Sequence, residues 1–162
     1  MKFPDKRRVM ERLIERMAAT QAQMVELAEG VRRDATHEEA KPENDKDTRA
    51  LEQTYLARGQ AMRAEALAEE LLLLRSIDLG ALPSSSPIVA GALVALSEED
   101  ATRCLFFVPH GGGHEFEVDG VHVTVVTPVS ALGRALLGRQ VGDEVELRVK
   151  GSVRFYEVDA IA

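Results

Sequence analysis

The spacing of apolar residues changes once along the chain, and that change limits most strongly how the chain can fold. Over residues 5–34 and about 47–76, apolar residues recur at intervals of three and four, which predicts two helices. From residue 88 onward the interval becomes two, which indicates strands. The sequence therefore predicts an α+β protein in which two helices come first and a small sheet follows.

The two predicted helices have equal lengths of about 30 residues, or roughly 45 Å. The first carries two rows of residues spaced seven apart, namely Met10, Met17, Met24 and Val31, and Leu13, Thr20 and Leu27. The apolar side of the second is predicted to be Leu51, Tyr55, Met62, Leu67, Leu71 and Leu74. Because a short polar turn joins them, the helices are predicted to form an antiparallel coiled-coil hairpin.

Two glycines interrupt the hairpin at almost equal distances from its turn. Gly30 and Gly59 each cost about 1 kcal/mol relative to Ala in a helix interior. Either a close approach of the two backbones or a small local bend would account for them.

The remaining local signals divide the chain into a hairpin over residues 1–76, with its tip at about 36–47, a linker over 77–87 and a sheet domain over 88–162. Asp119-Gly120 predicts a hairpin turn between two strands of a mostly antiparallel sheet. The segment SALGRALLG predicts a short helix with Ser130 as its N-cap and Gly138 just past its end.

Composition excludes several classes of function. A net charge of −7 gives the whole molecule no attraction for nucleic acid, so direct DNA binding is not expected. The longest apolar run, the four leucines at 71–74, is too short to span a membrane, and no secretory signal is visible. The single cysteine, Cys104, is interpreted as a buried strand residue and fits a reducing compartment. A cytoplasmic protein is therefore expected.

Three histidines near a glycine turn raise the question of a metal site. His110 and His114 surround three glycines, and His122 follows eight residues later. A turn of this kind splays the side chains apart, and no further ligand follows at a fixed spacing. We therefore interpret this segment as a loop at a hairpin turn.

Two segments resemble one family. VTPVSALGRALLGRQVGDEVEL, residues 126–147, resembles the SPLGRALLGKKVGD signature of the Gre family of bacterial transcript-cleavage factors. PENDKDTRALEQ, residues 42–53, resembles the hairpin tip of that family and the start of its second helix, because Glu43-Asn44 is followed nine residues later by Glu52-Gln53. The resemblance covers nearly the whole chain and implies a coiled-coil hairpin followed by a small FKBP-like β-sheet domain with one short helix.

The resemblance also implies a partner and a chemistry. The partner would be RNA polymerase, whose secondary channel the hairpin enters, and nascent RNA would be reached only through the polymerase. Glu43 would help to hold a second Mg²⁺ ion that is otherwise held mainly by the polymerase. The polymerase would then cleave backtracked RNA at its 3′ end. Hydrolysis by two metals needs the second cation about 4 Å from the first, and one or two carboxylates suffice for Mg²⁺. The chain is expected to be a monomer that binds no Mg²⁺ stably by itself.

One position departs from the family pattern. The family places an Asp three residues before the tip Glu, where this chain has Ala40. Glu39 or Asp45 is then the candidate for a second catalytic carboxylate beside Glu43, and Asn44 is expected to contact the partner. If neither serves, the chain would be a regulator that binds the same channel without cleavage. A hairpin adaptor unrelated to the polymerase is a third alternative.

The short helix is the expected docking surface. In the family, this domain contacts a coiled coil at the channel rim, which implies docking through Ser130, Gly133, Arg134 and Leu137. Of the neighbouring residues Leu136 and Leu137, one is expected to face outward.

Overall fold

The computed structural model describes residues 2–38, 47–83, 85–98, 101–149 and 151–162. Within these ranges the chain forms three helices and six strands. They are α1 (Lys6–Glu38), α2 (Asp47–Arg75), β1 (Ala92–Glu98), β2 (Ala101–Phe107), β3 (Glu115–Val118), β4 (Val121–Val126), α3 (Ala131–Leu136), β5 (Glu144–Val149) and β6 (Ser152–Ile161). The predicted α+β class, with helices first and a sheet carrying a short helix second, is confirmed.

The described strands form a sheet in the order β3-β4-β2-β1-β6-β5. Neighbours are antiparallel except for β2 and β4, which pair in parallel with Cys104 opposite Val123. Asp119 and Gly120 join β3 to β4 with φ angles of 54° and 75°. Two successive residues with positive φ are typical of a type I′ turn, so the predicted hairpin turn is confirmed.

The sheet lies in a compact unit made of residues 1–14 and 74–162, and both of its faces are buried in the middle. On one face α3 inserts Leu136 among side chains of β1, β2, β5 and β6, including Val94, Phe107, Val145 and Tyr156. On the other face Leu93 and Phe106 are also buried. The first turns of α1 belong to this unit and bury Val9 and Leu13.

Residues 15–73 form a second compact unit, the helical hairpin. The side-chain amide of Gln21 donates a hydrogen bond to the carbonyl oxygen of Ala64 at 3.4 Å, which joins the middle of α1 to α2. Among the residues of this unit whose burial the structure describes, five are buried, and three of these are alanines: Met17, Ala28, Ala57, Ala64 and Leu71. Methyl side chains let two helices approach more closely than leucines would.

Part of the predicted apolar seam is wrong. Leu27 is exposed, and Ala28 next to it is buried instead. Leu51, Tyr55 and Met62 of α2 are likewise exposed. The reason is that α2 carries apolar residues on more than one side, and its alanine row packs against α1. Towards the C-terminal end of α2 the prediction is confirmed, because Leu71 and Leu74 are buried.

The close approach offered for Gly30 and Gly59 is also wrong. A methyl group added at either glycine would meet no atom within 4 Å. Both positions therefore have room for a larger residue.

Cys104 is buried in β2, as predicted. Burial raises the pKa of its thiol from the ordinary value of 9.0 to about 11, because the buried site disfavours the charged thiolate.

This shift predicts a dependence of stability on pH. Between pH 9 and pH 11 the thiol of the unfolded chain loses its proton while the folded chain keeps it, so stability is lost as the pH rises through this window. Below pH 9 the contribution is fully present. We expect urea unfolding at increasing pH to show a steeper loss for the natural chain than for Cys104→Ala. Parallel pH profiles of the two proteins would contradict the shift.

Candidate partner-docking site

The residues expected at the hairpin tip lie outside the described residues. These are Glu39, Ala40, Glu43, Asn44 and Asp45, which the sequence places between the end of α1 and the start of α2. Their expected roles stay predictions. The candidate site that the structure does describe surrounds α3.

Ser130 shapes the entry to α3. Its hydroxyl oxygen accepts a hydrogen bond from the backbone N–H of Gly133 and donates one to the carbonyl oxygen of Thr127, both at 2.9 Å. The predicted N-cap is thereby confirmed. Such a cap satisfies a helix N–H that would otherwise lack a partner, and it fixes the loop that leads into the helix.

Gly133 allows the same loop to pass very close to the helix. It is buried, and a Cβ atom at this position would lie 1.9 Å from the carbonyl oxygen of Thr127. No larger residue fits without a shift of the backbone. Ser130 and Gly133 therefore build the loop, and a partner would be contacted by the exposed side chains around them.

Those exposed side chains form a surface of mixed character. Three apolar residues are exposed, with Val129 at 77%, Leu137 at 54% and Val141 at 43%. Arg134 and Arg139 lie among them in sequence and are exposed as well. We call these five residues the α3 surface.

The two arginines are partly held by the local backbone. The guanidinium of Arg134 donates to the carbonyl oxygen of Val129, and Nε of Arg139 donates to the carbonyl oxygen of Ala135 at 3.3 Å. Two cations beside three apolar side chains favour a partner surface that offers apolar contacts together with carboxylates. The two cations of this surface contrast with the net charge of −7 of the whole chain.

From the sequence, docking is expected around Ser130, Gly133, Arg134 and Leu137, whereas Val129 and Val141 carry no such expectation. A signal for Val129 was present. Val129 precedes the N-cap, where an apolar residue commonly packs against an apolar residue in the next helical turn. Here that later position holds Arg134, so nothing apolar from the helix covers Val129.

The histidine segment offers no built metal site among the described residues. No group of three or more His, Cys, Asp or Glu side chains there is arranged to hold a metal ion. His122 lies in β4, and its Nε2 atom is 3.7 Å from a carboxylate oxygen of Glu115. The two side chains would form an ion pair only with the imidazole protonated.

Comparison with curated proteins gives relatives of a single name. Transcription elongation factor GreA of Syntrophus aciditrophicus is 33% identical over 116 residues, which cover 72% of this chain and 67% of that protein. GreA of Rhodospirillum rubrum is 32% identical over 85 residues, covering 52% of this chain and 51% of that protein. No protein-family model matches the chain.

The relative from Syntrophus aciditrophicus is similar over about two thirds or more of both chains, which shows the family. The protein is a member of a class of transcription factors with a helical hairpin and a β-sheet domain. The chain belongs to the GreA family of transcription elongation factors, as its resemblance to the Gre family predicted. The first relatives are matched over about half of their own length, 51%.

Solved structures with a distant likeness include the transcription factor Gfh1, at a TM-score of 0.40 and 19% identity, covering 94% of this chain and 92% of that one. GreA/GreB of Nitrosomonas europaea has a TM-score of 0.38 and 22% identity, covering 61% of this chain and 78% of that one. Across the described part of the chain, no helix has the length and apolar character needed to cross a membrane.

Proposed function

We propose that this chain binds RNA polymerase through its secondary channel and stimulates the Mg²⁺-dependent cleavage of backtracked nascent RNA by the polymerase. The observation that carries the proposal is membership of the GreA family, in a chain that keeps Glu43 and Asn44 between its two long helices. The α3 surface supports the polymerase-binding half, because it exposes apolar and cationic groups on a loop whose shape Ser130 and Gly133 fix.

The hairpin supplies what the chemistry needs. α1 and α2 have 33 and 29 residues, so at 1.5 Å per residue they reach over roughly 45 Å. A helical pair of this length is stiff enough to deliver a carboxylate to a distant centre. Precise placement of a reacting group is itself a large part of catalysis.

In this proposal the metal ion and the chain supply different parts of the chemistry. Mg²⁺ supplies the Lewis acid and the activated water when it is bound in the polymerase. The carboxylate of Glu43 would provide oxygen ligands of the kind that Mg²⁺ prefers. Glu39 or Asp45 provides a second carboxylate in place of the Asp that Ala40 replaces.

The test is a stalled, backtracked elongation complex incubated with Mg²⁺ and the full chain. The natural chain is expected to accelerate release of the RNA 3′ fragment. Glu43→Ala is expected to slow that release by about a hundredfold, the order seen when one positioned catalytic group is lost. Glu26→Ala is the matched control, because it removes an exposed carboxylate from α1 at a position outside the family motif. Ala40→Asp is expected to increase the rate if a second carboxylate is limiting.

A binding measurement on the same complex separates the possible outcomes. Leu137→Asp is expected to weaken binding, because it places a carboxylate on the α3 surface. Tight binding without acceleration by the natural chain would select the regulator that does not cleave, which Ala40 favours. Absence of binding would contradict both versions.

A further inference from the structure

The exposed side of α2 carries a second regular row of residues. Starting at Leu51, the intervals alternate between four and three as far as Leu72, and every member is exposed. The row consists of Leu51, Tyr55, Arg58, Met62, Glu65, Glu69 and Leu72. We call it the outer seam.

The outer seam is distinct from the row that holds the hairpin together. Ala57, Ala64 and Leu71 are buried and lie seven apart. The outer seam lies on a different side of the same helix, where Leu51, Tyr55, Met62 and Leu72 are all more than half exposed. Alternating intervals of three and four are the pattern by which one helix packs along another. A row of this spacing fits a helix from another molecule.

The order of charges along the seam indicates which molecule. Arg58 lies in the half nearer the tip, and Glu65 and Glu69 lie in the half nearer the sheet domain. A parallel pair of seams in register would place Arg58 against Arg58 and Glu69 against Glu69, which is repulsive. An antiparallel pair centred between Met62 and Glu65 instead places Arg58 against Glu69.

The same antiparallel alignment matches the apolar members. It sets Tyr55 of one copy against Leu72 of the other. It also sets Met62 of one copy against Glu65 of the other, and the methylene groups of Glu65 can cover the thioether of Met62. Each match occurs twice because the arrangement is two-fold symmetric, so the surface is complementary to itself.

We propose that the outer seam pairs with the outer seam of a second copy of this chain, in the antiparallel alignment that joins Arg58 to Glu69. One helix face per copy buries less than the roughly 800 Å² per partner of a standard interface, so the dimer is weak and forms at high concentration. Pairing covers the outer seam along α2 from Leu51 to Leu72, which is then unable to contact any other partner. This inference does not depend on the proposed function.

The test is sedimentation equilibrium of the full chain with its charges exchanged. Arg58→Glu and Glu69→Arg are each expected to weaken dimerisation by about tenfold, because two attractions become two repulsions. The double variant Arg58→Glu/Glu69→Arg is expected to restore it, and so is an equimolar mixture of the two single variants. Arg63→Glu is the matched control, since it makes the same charge change at an exposed position next to the seam.

Circular dichroism checks that each variant keeps its helices. A natural chain that stays monomeric at about millimolar concentration would overturn the proposal, and so would a double variant as weak as the single ones. If the single variants instead weaken binding to RNA polymerase in a monomeric chain, the seam serves a helix of the polymerase and the proposal is wrong. Loss or retention of RNA cleavage has no bearing on this outcome.

Discussion

Gly133→Ala is expected to lower the free energy of unfolding of the sheet unit by about 3 kcal/mol, at the upper end of the usual cost of overpacking. The added methyl carbon would lie 1.9 Å from the carbonyl oxygen of Thr127 and 3.0 Å from the hydroxyl oxygen of Ser130. The first of these atoms belongs to the backbone and cannot rotate away. The loop must therefore move, and the cap that Ser130 provides is lost with it. Urea unfolding followed by circular dichroism measures the change.

Gly59→Ala is the matched control for this substitution. The chemical change is the same, but the new methyl group meets no atom within 4 Å and lies inside a helix. Because Ala favours helix over Gly, this variant should be more stable by up to about 1 kcal/mol. Equal effects of the two substitutions would mean that the contact between Gly133 and Thr127 is not close.

The second large effect is expected at two neighbouring leucines. Leu136 is completely buried in the core that α3 shares with the sheet, whereas Leu137 beside it is 54% exposed. Leu136→Ala should therefore cost about 3 kcal/mol of stability, because it leaves a cavity among packed side chains. Leu137→Ala should change stability by less than about 0.5 kcal/mol.

Binding should respond in the opposite order. With RNA polymerase as the proposed partner, Leu137→Ala is expected to weaken the complex, because a central apolar contact of the α3 surface is removed. Leu136→Ala, tested at a temperature where it is still folded, should bind almost normally. Thermal unfolding and a competition binding assay measure the two effects separately. If both leucines affected only stability, the α3 surface would not be the docking surface.

Local signals in the sequence predicted the sheet unit well. Alternation of apolar residues indicated strands from residue 88 onward, and Asp119-Gly120 and the Ser130 cap marked a turn and a helix by their own chemistry. Each signal depends on residues that are close in sequence, so no distant contact was needed to interpret it. The expectation that one of Leu136 and Leu137 faces outward is confirmed for Leu137.

The hairpin was harder because its helices pack through small residues. The prediction chose Leu51, Tyr55 and Met62 as the inner side, since large apolar residues usually seek burial. The structure buries Ala57 and Ala64 instead. Alanine rows give no strong hydrophobic signal, and only the position of α1 decides which side of α2 is covered.

The α3 surface was predicted only in part, and the reason is similar. The resemblance to the Gre family pointed to Arg134 and Leu137 through a motif. Val129 and Val141 lie at the edges of that motif, and their exposure depends on loops whose course is set by tertiary contacts such as that of Gly133. The roles expected for the residues between α1 and α2 depend on the family resemblance alone.

The place of β6 in the sheet sets an order of events during synthesis. β6 lies between β1 and β5, and Leu93 exchanges two backbone hydrogen bonds of 2.9 Å with Ala162. On the ribosome, residues 15–73 emerge before any strand of the sheet and find their partners within the same segment. The sheet has to wait until residues 152–162 have been released, and until then β1 has an open edge and uncovered apolar faces. That interval is when a nascent chain of this kind is most exposed to aggregation and most in need of a chaperone.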